Sequence, residues 1–174
     1  MKTIPGADVT IDLNDKTLTA GTSNDYGVIA NASKLVVIEN GDILSKGGGL
    51  GAINGAEVIY NAGKLDVSST STSPRYNIYA VGDGTKVTIN SGEFTFSSTL
   101  NQKRAYIYVG SGAVVYVNGG VFGPASKRDG YTTGILGDGQ VIITGGTFGF
   151  DPSEWVAEGY EAVKNNGNWV VSAK

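Results

Sequence analysis

One ten-residue pattern of apolar and polar positions recurs along this chain. It stands at VTINSGEFTF (87–96), VYVNGGVFGP (115–124) and VIITGGTFGF (141–150). Apolar residues hold the first and third places, a glycine the sixth and a large apolar residue the eighth. VIYNAGKLDV (58–67) and VVIENGDILS (36–45) follow the same rule, and IDLNDKTLTA (11–20) follows it with Lys16 in place of the glycine. Alternation at the front of the phrase has the period of a strand with one face buried. Asn, Ser and Gly in the middle supply local side-chain bonds and positive φ. Each phrase therefore predicts strand, tight corner, strand, with Val87, Ile89 and Phe94 as the inward set of the 87–96 copy.

The sixth-place positions 16, 41, 63, 92, 120 and 146 are separated by 25, 22, 29, 28 and 26 residues. A fixed motif at a loose period of this length predicts a solenoid, in which each turn stacks on its neighbour. A shorter strand precedes each phrase after the first, at 26–33, 50–57, 78–85, 107–114 and 133–140, and ends in its own small-residue corner. Three strands per coil, stacked in parallel, place the Asn-x-Gly corners in a ladder along the axis. The expectation is an all-β solenoid of about six coils over residues 9–150, with an N-terminal arm over 1–8 and a C-terminal cap over 151–174. Residues 7–150 resemble the right-handed parallel β-helix of the pectate-lyase-like superfamily. That resemblance concerns the fold, and fold alone does not give function.

A solenoid exposes its apolar core at both ends unless something covers them. DPSEWVAEG (151–159) carries helix signals: Asp151 as N-cap, Pro152 at the first helical position, Glu154 three residues after the cap and Gly159 as terminator. It predicts a helix of about two turns, with Trp155 and Val156 turned toward the last coil. YEAVKNNGNWVV (160–171) predicts a hairpin that turns at 165–168 and carries Trp169 on its returning strand. The tail resembles a C-terminal cassette of β-helix modules in bacteriophage virion proteins and gut-bacterial surface proteins. The matching residues are Gly145, Gly146, Phe148, Asp151, Pro152, Gly159, Tyr160 and Trp169.

Composition narrows the function classes. The chain has 174 residues, a net charge of −3, and 17% charged residues. One domain is expected, and no run of basic charge points to nucleic acid. With no Cys and no His, thiol chemistry, disulfides, imidazole acid–base catalysis and the usual zinc ligands are excluded. No cofactor is expected. No apolar run reaches the length of a signal peptide core or a membrane span. A chain that starts natively at Met1 is thus expected to be made in a cytoplasm and to have no membrane partner.

An enzyme reading finds little support. Polygalacturonase-like enzymes carry paired aspartates and a Gly-His-Gly segment, and pectate-type lyases need clustered carboxylates for calcium with a basic residue as proton acceptor. Asp83 and Asp138 sit in Gly-Asp-Gly corners, where Asp is an ordinary turn residue. A polysaccharide lyase or hydrolase is accordingly the third choice.

Contact residues are easier to nominate. Arg75, Arg104 and Arg128 recur at about the coil period and are expected in line on one edge, as a solvated rim or as a contact for anionic glycan or a partner. Tyr79, Tyr106, Tyr108 and Tyr116 fall in the tyrosine-rich stretch. Tyr106 and Tyr108 are expected on one face with Tyr79 beneath them, and Tyr116 points outward. Such a flank suits a protein interface or sugar stacking, the plainer reading being that several line the core.

The expectation is a non-enzymatic structural protein of surface display, first of all a bacteriophage capsid decoration or head-fibre-type virion protein. Similar phage β-helices imply a homotrimer with parallel axes, with capsid shell proteins and surface glycans as further partners. The alternative is an adhesin or glycan-binding module on a bacterial cell surface.

Overall fold

The computed structural model describes residues 1–22, 26–69, 73–97, 104–124 and 134–174. Its strands are β1 (Asp8–Ala20), β2 (Tyr26–Asn31), β3 (Leu35–Ser45), β4 (Gly48–Ile53), β5 (Glu57–Asn61) and β6 (Lys64–Val67). They continue with β7 (Arg75–Val81), β8 (Lys86–Ile89), β9 (Glu93–Thr95), β10 (Arg104–Val109), β11 (Val114–Val117) and β12 (Val121–Pro124). The last are β13 (Ile135–Gly137), β14 (Gln140–Ile143), β15 (Gly146–Gly149), β16 (Tyr160–Asn165) and β17 (Asn168–Ala173).

These strands form a β-solenoid with three walls. One wall stacks β2, β4, β7, β10 and β13. A second stacks β3, β5, β8, β11 and β14, and a third β3, β6, β9, β12 and β15, with β1 beneath β3 in both. The walls join because β1 and β3 run through the corner unbroken, as strands of 13 and 11 residues. Three separate strands per turn appear only from β4 onward, in β4–β6, β7–β9, β10–β12 and β13–β15. The solenoid has about four such turns, which corrects the expected six.

The core is built from aligned columns. The eighth-place residues Leu18, Ile43, Leu65, Phe94, Phe122 and Phe148 pair in unbroken register. Phe94, Phe122 and Phe148 stack nearly parallel, with centroids 4.5 and 4.9 Å apart. The third-place column is Ile38, Tyr60, Ile89, Val117 and Ile143, all fully buried. Below Ile38 lies Ile11, not Leu13. Residues 13–15 form an enlarged corner in β1, with Asn14 and Asp15 at φ of 48° and 57°, so the front half of the first phrase is framed two residues late.

The corner ladder exists. Asn90 donates to Asn61 (2.8 Å), Asn118 donates to Asn90 (2.9 Å), and the Thr144 hydroxyl closes the row on Asn118 (2.9 Å). A shorter rung joins Asn54 to Asn31 at 2.7 Å.

The two ends of the chain lie on the stack. Met1 to Gly6, expected as an arm, run beneath β2: Thr3 donates to Ile29, Ile29 to Met1 and Gly6 to Ala32. At the other end β17 pairs antiparallel with β15, and β16 with β17. The hairpin turns through Asn166 and Gly167, both at positive φ, as a two-residue turn between twisted strands favours. The expected two-turn helix is a single 3-10 turn, Ser153–Trp155. Asp151 accepts from the Ser153 amide and hydroxyl, so the cap residue works locally. The chain then extends at Val156, which bridges to Ile143. Pairing with the last coil outweighs a second helical turn.

Candidate interaction face

The outer side of the β2–β4–β7–β10–β13 wall carries a strip of four tyrosines. Strict alternation breaks in this wall. Asn77 and Ile78 are both buried, as are their register neighbours Tyr106 and Ile107. Tyr76 and Tyr79 in β7, and Tyr108 in β10, are left half-buried on the outside. Tyr79 and Tyr108 stack at 5.3 Å between centroids and 15° between planes. Tyr76 lies 5.7 Å from Tyr79 and 4.8 Å from Tyr108. Tyr26 continues the strip downward, 5.7 Å from Tyr79.

Tyr26 spans the intervening turn because that turn has no side chains there. A Cβ on Gly48 would lie 2.2 Å from a Tyr26 ring carbon. A Cβ on Gly51, in register with Tyr79 above and Ile29 below, would lie 3.5 Å from the same ring. Tyr79 stacks face to face with Tyr76 and Tyr108, Tyr26 leans against Tyr79 at a tilt, and all four stay half-buried along the wall. Burial and the neighbouring phenols raise the pKa of Tyr26, against the pull of Arg75, and raise that of Tyr76. Both remain protonated hydrogen-bond donors at neutral pH. Beside Tyr26 opens a groove of about 340 Å³ lined by Met1, Lys2, Ala20, Gly21 and Ile29.

The nominated residues divide. Tyr79 and Tyr108 belong to the strip. Tyr106 does not share their face: it is 4% exposed and packs among Phe96, Phe122 and Phe150. The bend that turns two successive residues inward accounts for this. Tyr116 lies on the second wall, in register with Thr88 and Ile142, away from the strip. Arg75 and Arg104 are adjacent in register. Arg75 donates to the Ser69 hydroxyl and the Pro74 carbonyl, and Arg104 stands 5.3 Å over the Phe96 ring. Arg128 lies outside the described residues.

Tyr26 and Tyr76 were not among the nominated contacts. The signal for Tyr26 was the YG start of the β2 segment and the three glycines at 47–49 one turn on, where space opens for a ring; Tyr76 stands in the tyrosine-rich stretch itself. Asp83 and Asp138 are exposed corner residues. Among the described residues no three acidic side chains gather as a metal site, and no helix is long and apolar enough to cross a membrane. No family model, curated protein or solved structure matches the chain.

Proposed function

We propose that this protein is a non-enzymatic display module: a right-handed β-helix, closed at one end by residues 151–174, that is mounted on a bacteriophage virion as a capsid decoration or head-fibre-type protein. The tyrosine strip is its contact face. The carrying observation is the alignment of Tyr26, Tyr76, Tyr79 and Tyr108 on one wall, each ring 4.8–5.7 Å from at least one other of the row. Rings already packed against each other lose little side-chain entropy on binding and offer a fixed row of phenols, which suits a protein surface. A homotrimer with parallel axes buries such a strip between neighbouring stacks. The small capped solenoid without Cys supports the virion setting; the likeness of the C-terminal segment, shared by phage virion and gut-bacterial surface cassettes, supports both settings alike.

Antibody labelling of purified phage particles tests the setting, with labelling of intact bacterial cells as the contrast. Label on particles is expected. Label confined to the cell envelope overturns the virion reading in favour of a bacterial adhesin. The groove beside Tyr26 favours that second reading, because a phenol row next to a largely apolar groove with Lys2 at its side also fits the stacking face and hydroxyls of a glycan.

A further inference from the structure

The lower end of the stack differs from the upper. At the top, β17 pairs with β15 and Val156 bridges to β14. At the bottom, β1 pairs with β3 above it, and among the described residues no strand pairs below it. Its inward side chains are open underneath. Val9 is 38% exposed, although Val36 directly above it is fully buried. Ile11 and Leu18 are only partly buried against the core. Met1 and Ile4, at the same end, are 54% and 73% exposed. A long edge strand with an apolar inner row is a template for pairing.

From these features we infer that β1 pairs antiparallel with β1 of a second copy, which joins two stacks end to end about a two-fold axis. The register follows from β1 itself. Two straight arms, Asp8–Asp12 and Lys16–Ala20, flank the corner at 13–15. The inward residues are Val9 and Ile11 on one arm, Leu18 and Ala20 on the other. A two-fold axis between residues 14 and 15 sets Val9 opposite Ala20 and Ile11 opposite Leu18, so apolar residues meet apolar residues across the contact.

The backbone has the same symmetry. Leu35 donates to the Ala7 carbonyl, and Lys46 donates to the Ala20 carbonyl. Alternate residues of a strand direct their peptide groups to opposite edges. Ala7, Val9 and Ile11 therefore face β3, as do Lys16, Leu18 and Ala20. Asp8, Thr10, Asp12, Thr17 and Thr19 direct theirs to the free edge. The same axis places Thr10 opposite Thr19 and Asp12 opposite Thr17, so free-edge groups meet free-edge groups, as antiparallel pairing requires. A one-residue shift of the axis sum would set Thr10 against Leu18 and lose every bond. Charge agrees as well. Asp8, Asp12 and Asp15 fall opposite Gly21, Thr17 and Asn14, and Lys16 opposite Leu13, with no like charges in direct opposition.

Sedimentation equilibrium of the full chain and of Thr10→Pro tests this pairing. The Thr10 amide faces the free edge, so proline there removes a bond between copies and none within the fold. The wild type is expected as an even number of chains, with the mass halved in Thr10→Pro and the thermal unfolding of the separated chain retained. Thr10→Cys/Thr19→Cys is expected to cross-link into pairs with a short bifunctional thiol reagent, and Thr10→Cys alone to remain uncross-linked. A wild type that stays a single chain overturns the inference. So does a trimer indifferent to Thr10→Pro, or equal cross-linking of the single-cysteine variant.

Discussion

Phe94 shows how one side chain serves several turns at once. Its ring is fully buried, stacked on Phe122 and tilted against Tyr60 at 5.5 Å. Phe94→Ala is expected to cost about 3–5 kcal/mol, because rigid walls on three sides limit collapse of the cavity; urea unfolding monitored by circular dichroism measures it. Burial also sets a response to alkali. It pushes the Tyr106 phenol up to about 12 from 10.0, against the pull of Arg104, and raises Tyr26 and Tyr60 by the same cause. A phenol with a raised pKa in the fold ionises first in the unfolded chain. Its contribution is therefore fully present below pH 10, the unfolded value, and is lost as pH climbs toward 12. Thermal midpoints should be flat from pH 7 to 9 and fall through that window, while phenolate absorbance shows these tyrosines titrating late. A midpoint unchanged up to pH 12 would contradict the buried-phenol account.

Among the elements, the strands of the repeating phrases were easiest to read from sequence. A period-2 alternation followed by Gly leaves one way to hide Val87, Ile89 and Phe94, and the columns follow from it. Less legible were places where local pattern and tertiary pairing disagree. Asp151, Pro152 and Glu154 spell a helix, yet the pairing of Val156 with Ile143 pulls the chain straight after one 3-10 turn. Asn77 and Tyr106 occupy places where alternation predicts an outward side chain, and the bend turns them in. Asn77 then donates to the Leu65 and Thr95 carbonyls at 3.0 Å each, a function invisible in the local sequence. The tyrosine strip was half visible: Tyr79 and Tyr108 follow from register, but Tyr26 depends on a glycine gap one turn away. Ring stacking across turns should couple the strands energetically. A double-mutant cycle on Tyr79→Ala and Tyr108→Ala, read by chemical unfolding, is expected to give a coupling of about 0.5–1.5 kcal/mol. A coupling near zero would mean that the rings are neighbours without cohesion.

The whole molecule behaves as a one-dimensional stack, in which each turn bonds to the turns above and below. Stability should then be added or removed in units of one turn. The register from Lys86 to Val114 defines such a unit. Tandem duplication of residues 86–113 is expected to yield a folded protein with one more rung in the Asn61–Asn90–Asn118 row and an unfolding midpoint no lower than the parent's. An aggregated or partly unfolded product would show that the stack depends on features beyond neighbour-to-neighbour contact.

The reversed direction of β17 against β15 gives this stack a polarity. A screw thread continues only while each winding follows the sense of the last, and a strand laid backwards jams the thread. Lengthening at the Trp169 end would first require that hairpin to be dislodged. Among the described residues no reversed strand lies against Asp8–Ala20, so a further winding in the same sense meets no jam at that end.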